Sequence, residues 1–408
     1  MSTTKPVVVY GASGYTGRLI CEYLREYNIP FVAAGRSADR VQSAMDHNVP
    51  GIETASYEVV EVEHTVEALT ELFRGASVVC NTVGPFARFG PEVVEACIES
   101  GCHYTDTTGE QDWLMVCDEQ YGARMAERGL LLSPGVAQMY TTGEIAANLA
   151  LETPGLDTLD MLVLWKGMPT VASTQTIFVN AALSKAHYLE QNEYVEWPAD
   201  GRLYTVAVPN QHTTGLALPW GGTSSPVWFK RDPRVANCRV LGGLFDQDLM
   251  QGVPAIVGAT LAEIEGLSEE EKLEVLAEKA SAVNSQMPPR ENQRINISVD
   301  SVHATGPMGH VHVLLKGTCN YKQTGLLNAY AAHHLIHGTP RRVGFASACQ
   351  AFGHRELLAV LQAFGLMAAP RITGDVAPHP LAPAPQAIGS SRPAVVASNG
   401  RAAAPVVA

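Results

Sequence analysis

The residues best suited to chemistry form a glycine-rich segment, Gly11-Ala-Ser13-Gly14-Tyr15-Thr16-Gly17. Three glycines at this spacing, between a β-branched run and an apolar helical pattern, are typical of a loop that holds a dinucleotide pyrophosphate. Gly11 permits the tight turn, Gly14 lets the backbone approach the phosphates, and Gly17 lets the helix pack closely on the strand. The free N–H groups at the start of the helix would bind the phosphate oxygens. We therefore predict a dinucleotide site here.

A second signal follows the next predicted strand, Phe31-Val-Ala-Ala34, where Gly35, Arg36 and Ser37 come in sequence. An acidic residue at this point would bind the ribose 2′-hydroxyl, whereas an arginine accommodates a 2′-phosphate. Arg36 and Ser37, with Arg40 nearby, therefore predict NADP(H) as the cofactor. The alternative is that Arg36 is a solvated side chain in a turn.

Candidate proton-transfer groups lie further along the chain. Asp106 and Glu110 follow a predicted strand, and a carboxylate there could orient a substrate or relay a proton. The alternative is that Asp106 caps the next helix and Glu110 is solvated. Tyr140 could be a phenolic proton donor, although a buried, hydrogen-bonded tyrosine is the simpler interpretation.

The histidines do not suggest a metal site. His333 and His337 share a helical face, and His310 and His312 alternate on a predicted strand. Metal ligation would need a third ligand and a carboxylate partner, and none stands out. We predict no metal.

The elements that must position these groups alternate between strand and helix over the first third of the chain. Predicted strands cover 6–10, 31–35, 55–60, 77–82, 102–106 and 129–133, and helical patterns lie near 15–27, 38–45, 64–73, 90–99 and 112–127. Alternation of this kind predicts an α/β fold with a doubly wound (Rossmann) parallel sheet, here over residues 1–140.

The pattern then changes to a second domain. A helical stretch covers 140–150, and alternating runs fill 157–260. A capped acidic helix is predicted from 267 to about 284, with strands over 292–302 and 309–319. We predict a mixed α/β domain over 141–325 with a largely antiparallel sheet. Helices over 326–368 would pack back on the first domain, and the Ala/Pro-rich residues 369–408 would form a disordered tail.

Composition narrows the class of protein. The chain has 408 residues, a formal net charge of −13 and 46% hydrophobic residues, which predicts a soluble two-domain enzyme. The negative charge argues against nucleic acid as a partner. No apolar run is long enough to span a bilayer, and no signal peptide is expected. Eight scattered cysteines without a C-x-x-C pair favour reduced thiols and a cytoplasmic location.

The segments GASGYTG, AGR, NTVGPFARFGPEVVEACIESGCHYTDTTGE and PRRVGFASACQAFG together resemble the saccharopine dehydrogenase-like oxidoreductases. The similarity is greatest to the branch that contains trans-acting enoyl reductases, and it is weakest in the middle of the chain. It implies cofactor roles for the loop residues and for the VGPF turn that flanks the nicotinamide. By this match the cofactor residues are Gly11, Ser13, Gly14, Tyr15, Thr16, Arg36, Val83, Gly84 and Pro85.

A competing family, the acyl-phosphate and semialdehyde reductases, shares GASGYTG but needs a reactive cysteine. Cys97 and Cys102 are poorly placed for that role, so this interpretation is disfavoured.

The middle domain is rich in aromatic residues and poor in basic ones. Only Lys166, Lys185 and Arg202 carry positive charge between 151 and 229, whereas saccharopine would require a basic cluster. The aromatic residues, among them Trp165, Trp197, Trp220 and Trp228, suit a small apolar substrate better than they suit saccharopine. We predict NADPH-dependent reduction of a conjugated C=C or a C=N bond, and a homodimer is compatible with the sequence. The alternatives are an opine- or saccharopine-type amino-acid dehydrogenase and a non-enzymatic NADP(H)-binding sensor.

Overall fold

Two seven-stranded sheets organise the chain in this computed structural model, which describes residues 5–198, 201–219, 224–282, 288 and 290–375. Within these ranges the strands are β1 (Val7–Tyr10), β2 (Phe31–Gly35), β3 (Tyr57–Glu61), β4 (Val78–Asn81), β5 (His103–Asp106), β6 (Leu131–Ser133), β7 (Thr158–Lys166), β8 (His187–Glu190), β9 (Glu193–Glu196), β10 (Tyr204–Ala207), β11 (Thr214–Ala217), β12 (Asn237–Leu244), β13 (Ile297–Gly306), β14 (Gly309–Thr318), β15 (Gly344–Phe345) and β16 (Arg371–Gly374). The helices are α1 (Tyr15–Glu26), α2 (Ala38–Asn48), α3 (Val66–Phe73), α4 (Phe86–Ser100), α5 (Gln111–Val116), α6 (Gly122–Glu127), α7 (Gln138–Ala150), α8 (Val171–Leu183), α9 (Ser224–Phe229), α10 (Gln247–Ile264), α11 (Glu269–Ala282), α12 (Asn320–His337), α13 (Ala348–Phe352) and α14 (His354–Ala363).

The first sheet is parallel throughout and has the strand order β15-β6-β5-β4-β1-β2-β3. All four residues of β1 are buried, as expected for a central strand covered on both faces. In register, Val7 lies beside Phe31 of β2 on one side and Val78 of β4 on the other. The chain reverses direction of winding next to β1, so ligands are expected at the carboxyl ends of β1 and β4. The predicted doubly wound sheet is confirmed.

The second sheet is mixed and has the order β16-β14-β13-β7-β12-β8-β9. Its only parallel pair among the described strands is β7 with β12, and β13 and β14 form a long antiparallel hairpin. This confirms the prediction of a largely antiparallel second sheet.

Two helices fill the space between the sheets. Every residue of α7 from Thr141 to Ala150 is buried, and this helix packs on β7, β13 and β14. Helix α12 packs along α1, where a Cβ on Gly325 would stand 2.8 Å from the Leu19 Cβ. Because of these contacts, residues far apart in sequence meet at the carboxyl edge of the first sheet.

The structure adds detail to one prediction and corrects another. The alternating runs of 157–260 do not correspond to strands alone, because α8 lies within this segment and α10 begins in it. The tail was predicted to begin at 369, but Arg371–Gly374 pairs antiparallel with β14 and extends the second sheet. Residues 376–408 of the predicted tail lie outside the described residues.

Candidate cofactor and substrate site

The glycine-rich loop has the close packing that a pyrophosphate site requires. Gly11 has φ +89°, and a Cβ there would stand 2.6 Å from Thr82 Oγ1. A Cβ on Gly17 would stand 2.4 Å from the Gly11 carbonyl oxygen, so only glycine lets α1 approach the loop this closely. Gly14 is the N-cap of α1 and offers no side chain to the first N–H groups. These donors fit the phosphates of a dinucleotide.

The end of β2 shows how the 2′-phosphate could be bound. Arg36 is exposed, and the Ser37 side chain caps α2 by accepting a hydrogen bond from the Arg40 N–H at 3.3 Å. A carboxylate also lies at this helix end, because Glu61 Oε2 accepts a hydrogen bond from the Ala38 N–H at 2.9 Å. Arg36 and Ser37 therefore lie where the second strand ends, as predicted.

The turn after β4 is held by two buried acceptors. Asn81 Oδ1 accepts a hydrogen bond from the Val83 N–H at 2.9 Å. Glu110 accepts hydrogen bonds from the Phe86 and Ala87 N–H groups at 2.9 and 2.7 Å, which caps α4 directly after Gly84 and Pro85. Burial raises the pKa of Glu110 to about 7, although the two N–H groups oppose that shift. The alternative expectation that Glu110 is solvated is wrong.

Asp106 is the centre of a buried hydrogen-bond network. Its carboxylate is fully buried and accepts hydrogen bonds from four donors. These donors are the Thr108 N–H (2.9 Å), the Gly135 N–H (2.8 Å), the Tyr104 hydroxyl (2.7 Å) and the Trp113 Nε1–H (3.0 Å). The network ties the ends of β5 and β6 together. The Asp106 side chain does not line the cavity described next.

A cavity of about 200 Å³ lies at the carboxyl edge of the first sheet, between the glycine-rich loop and the second sheet. The first sheet and α1 contribute Gly14–Gly17, Thr82, Gly84, Phe86, Thr107 and Gly109 to its wall. The other wall residues are Ala137–Tyr140 of α7 and the residue before it, Trp165 of β7, Pro169, Thr170, Ala172, Ser173, Gln175, Thr176, Ile177 and Asn180 at or before α8, and Asn320, Tyr321 and Thr324 of α12. Among the described residues of its wall there is no Asp, Glu, Lys, Arg or His. The cavity is therefore suited to uncharged groups.

Several buried polar atoms in this wall have no hydrogen-bond partner among the described residues. They include both amide atoms of Asn320, Gln138 Oε1, Asn180 Oδ1 and Trp165 Nε1. Buried polar groups are nearly always paired, so such a concentration indicates a site that receives polar groups from a ligand. Asn320 follows Cys319, whose φ of +57° is unusual for a residue other than glycine. Strained backbone of this kind occurs preferentially at functional sites.

Tyr140 lies in the cavity wall and is half-buried. Burial, and then the nearby Glu110, raise the pKa of its hydroxyl, which therefore stays protonated. No hydrogen bond joins this hydroxyl to another described residue. The group is thus available as a donor to a ligand.

Cysteine and histidine side chains do not enter the cavity. All eight cysteines are buried, and burial raises the thiol pKa, to about 12 for Cys80. Such thiols are poor nucleophiles, which agrees with rejecting cysteine chemistry. His333 stacks on Tyr27 and His310 approaches Asp375, and no group of three potential metal ligands occurs among the described residues.

The structure brings together only part of the predicted substrate wall. Trp165 lines the cavity, but Trp228 belongs to the core and Trp197 packs between Tyr188 and Tyr204. Trp220 lies outside the described residues. Gln138, Asn180 and Asn320 also line the cavity and were not predicted from the sequence. No local motif marks the two asparagines, although Asn320 begins a helix directly after a strand.

Comparisons with known proteins agree with this architecture. Residues 7–130 match the saccharopine dehydrogenase NADP binding domain, and residues 141–376 match DUF5938, described as a family of unknown function. A lipid droplet localized protein of Caenorhabditis elegans is 34% identical over 131 residues, covering 30% of this chain and 31% of the relative. The human saccharopine dehydrogenase-like oxidoreductase is 32% identical over 139 residues, 31% of this chain and 32% of the relative. A trans-acting enoyl reductase of Mycobacterium ulcerans is 35% identical over 113 residues, 27% and 26% of the two chains.

The fold and the loop thus define a Rossmann protein whose first domain binds NADP(H), and the predicted resemblance is confirmed for that domain. The chain belongs to the DUF5938 family. The matches to these curated relatives span about a third of their length or less. Among the described helices, none has the length and apolar character required to cross a membrane.

Proposed function

We propose that the protein is an NADPH-dependent reductase that transfers a hydride to a conjugated C=C or a C=N bond of an uncharged, largely apolar small molecule. The observation that carries this proposal is the cavity at the carboxyl edge of the first sheet, whose described wall contains no charged side chain. A substrate with several carboxylates would leave its charges unpaired there, at a large cost in desolvation. The cavity therefore favours a neutral substrate over saccharopine-type amino acids.

The close packing of the glycine-rich loop supports the cofactor roles that the resemblance implies. Gly11, Ser13, Gly14, Tyr15 and Thr16 would hold the pyrophosphate at the start of α1. At the other end of the dinucleotide, Arg36 and Ser37 would bind the 2′-phosphate. The backbone of Val83, Gly84 and Pro85 would flank the nicotinamide, because Gly84 lines the cavity beside Gly14 and Thr82. When bound, NADPH supplies the hydride.

We assign two different roles to the residues predicted to take part in the chemistry. Tyr140 offers a protonated hydroxyl in the cavity and would donate a hydrogen bond to the carbonyl or imine group conjugated to the reacting bond. Such a donor stabilises the negative charge that develops during hydride transfer. Asp106 is a positioning residue, since its four buried donors include the backbone N–H groups of Thr108 and Gly135 beside the cavity wall.

A screen of NADPH oxidation tests this proposal. The purified 408-residue chain is incubated with NADPH and a panel of enones, imines and pairs of a 2-oxo acid with an amine. We expect turnover with a neutral enone or imine and a strong loss of it in Tyr140→Phe, with NADPH affinity retained. Turnover only with the oxo-acid pairs would favour the amino-acid dehydrogenase, and binding of NADPH without any turnover would favour the sensor.

The cytoplasmic location and the homodimer stay predictions. One relative of the first domain is named for its lipid droplet localization, so location requires direct imaging of the tagged protein. Sedimentation of the purified protein would measure the oligomeric state.

A further inference from the structure

Three side-chain amides in the cavity wall carry oxygen atoms that accept no hydrogen bond from the described residues. They belong to Gln138, Asn180 and Asn320. The side chains of Gln138 and Asn320 are buried, with only 1% and 4% of each residue exposed. A buried acceptor without a donor is costly, so a ligand that brings N–H or O–H groups to these oxygens gains affinity. The orientation of each amide therefore indicates the kind of group that it binds.

The orientation of the Asn180 amide is fixed by the loop after β5. Its Nδ2 donates a hydrogen bond to the Gly109 carbonyl oxygen at 3.0 Å. A carbonyl oxygen can only accept, so the nitrogen and the oxygen of this amide cannot be exchanged. Asn180 Oδ1 is consequently the buried atom without a partner, and it is an acceptor.

The Gln138 amide is oriented in a similar way. The Thr142 hydroxyl donates its one proton to the Gln138 main-chain oxygen at 2.7 Å. The same hydroxyl therefore accepts from the Gln138 Nε2–H group at 3.1 Å. Gln138 Oε1 is left as an acceptor that faces the ligand space. The cavity thus requires donors from its ligands as well as acceptors.

A donor lies beside the Asn180 acceptor. The Tyr140 hydroxyl touches Gly109, where a Cβ would stand 1.6 Å from the phenolic oxygen, and Asn180 is bonded to the carbonyl group of the same glycine. Both side chains line the cavity. A single backbone residue therefore holds a donor and an acceptor close to each other.

This pair lies on the side of the cavity away from the glycine-rich loop. The turn proposed to flank the nicotinamide, Val83–Pro85, follows β4, whereas Gly109 follows β5, the next strand away from β1. Asn180 itself belongs to α8, which follows the first strand of the second sheet. The position favours contact with the substrate over contact with the cofactor.

A cyclic amide has the complementary pair of groups. In a lactam the carbonyl oxygen and the N–H group lie on one edge of the ring, so one edge both accepts and donates. A hydroxyl group beside a conjugated carbonyl is less suitable, because it donates to that carbonyl within the same molecule. A lactam is also uncharged at neutral pH, which agrees with a described wall that contains no Asp, Glu, Lys, Arg or His.

We propose that the substrate is a conjugated lactam whose carbonyl oxygen accepts from the Tyr140 hydroxyl and whose N–H donates to Asn180 Oδ1. This inference rests on the proposed function and narrows its substrate class. Hydride, with its electron pair, passes from NADPH to the carbon β to the carbonyl, and a proton from water forms the new bond at the α carbon. The products are the saturated lactam and NADP⁺. Tyr140 stabilises the negative charge on the carbonyl oxygen, and Asn180 orients the ring.

The first experiment measures binding and needs no turnover. An unsaturated six-membered lactam and the lactone of the same ring are titrated into the NADP⁺ complex by calorimetry. We expect the wild type to bind the lactam about tenfold or more tightly, because the lactone has no proton to place between its ring oxygen and Asn180 Oδ1. Equal affinities, or a lactam that does not bind, would overturn the proposal even if the enzyme reduces enones.

Asn180→Leu tests the residue. The preference for the lactam over the lactone should fall about tenfold in this variant, with NADPH affinity within about twofold of the wild type. The matched control is Gln251→Leu, an exposed amide on α10, which should keep the wild-type preference. A preference unchanged in Asn180→Leu would overturn the proposal. So would a loss of NADPH affinity in a variant that unfolds as the wild type does, since Asn180 would then bind the nicotinamide carboxamide.

Turnover distinguishes this inference from the proposed function. With NADPH, Asn180→Leu should lower kcat/KM for the lactam about tenfold more than for the enone of the same ring, which has no N–H to lose. Reduction of enones without any lactam preference would contradict only the lactam assignment. Lactam binding that depends on Asn180, without oxidation of NADPH by any acceptor, would contradict the proposed function and leave the recognition of the lactam standing.

Discussion

The Tyr140 hydroxyl lies against Gly109 so closely that a Cβ on Gly109 would stand 1.6 Å from the phenolic oxygen. The loop after β5 thus fixes the position of the one tyrosine to which we assign a role in the chemistry. Because Tyr140 lies in the first turn of α7, directly after Gln138 and Met139 in the cavity wall, the same contact fixes one side of the cavity.

Gly109→Ala should displace Tyr140 without disturbing the glycine-rich loop. We expect turnover to fall by about a hundredfold, since a shift of about 1 Å in a reacting group has that effect. NADPH affinity, measured by nicotinamide fluorescence, should stay within about twofold. Gly258→Ala, a helical position with open space around it, is the control and should leave turnover unchanged. Full activity in Gly109→Ala would show that Tyr140 is not needed where the structure places it.

Asp106→Asn tests whether Asp106 stabilises the fold or takes part in the reaction. An asparagine has one acceptor oxygen, so its amide group would face two of the four donors that now surround the carboxylate. We expect the free energy of unfolding in urea to fall by about 3 kcal/mol or more, because hydrogen bonds to a charged group contribute about 1.5–3 kcal/mol each. Tyr104→Phe removes a single donor and should have a smaller effect. If Asp106→Asn kept full stability and lost turnover, Asp106 would belong to the chemistry instead.

The stacked pair His303 and His312 predicts a loss of stability in mild acid. Their ring centroids are 4.0 Å apart across β13 and β14. Burial lowers the pKa of both imidazoles. The charge of Asp160 opposes this shift at His303, whereas the charges of His303 and Arg371 add to it at His312. The ordinary pKa of histidine in an unfolded chain is about 6.5. Because the folded-state pKa of both imidazoles is lower, the unfolded protein binds protons first as the pH falls below about 6.5, and the free energy of unfolding decreases.

Urea unfolding at pH 7.5 and pH 5.5 measures this effect. The wild type should lose more stability over this interval than His303→Gln, whereas His47→Gln, an exposed position on α2, should behave as the wild type. Equal losses in the wild type and in His303→Gln would show that the pair does not control acid stability.

Local sequence signals predicted the first domain well for a physical reason. The β-branched run of β1, the turn at Gly11 and the helix after Gly14 are neighbours in sequence, and each element is determined by its own periodicity and turn chemistry. The end of β2, with Arg36 and Ser37, follows in the same way. The parallel sheet can then be predicted because such strand–turn–helix units repeat along the first third of the chain.

The walls of the cavity could not be predicted in this way. Asn180 and Asn320 are separated from the glycine-rich loop by more than a hundred residues in sequence, and they line the same cavity only because the fold places α8 and α12 beside that loop. The short strand β16 was missed because four residues after Pro370 are too few to show alternation against the Ala/Pro-rich sequence beyond them.

The most direct test of the cofactor assignment is a titration of NADPH and NADH into the wild type and Arg36→Asp, followed by nicotinamide fluorescence. The wild type should prefer NADPH. Arg36→Asp should weaken NADPH binding about ten- to a hundredfold, because a charge-assisted contact with the 2′-phosphate is replaced by repulsion, while NADH binding changes little or improves. A wild type that prefers NADH, or a variant that keeps its NADPH affinity, would contradict the assignment of the cofactor and of Arg36.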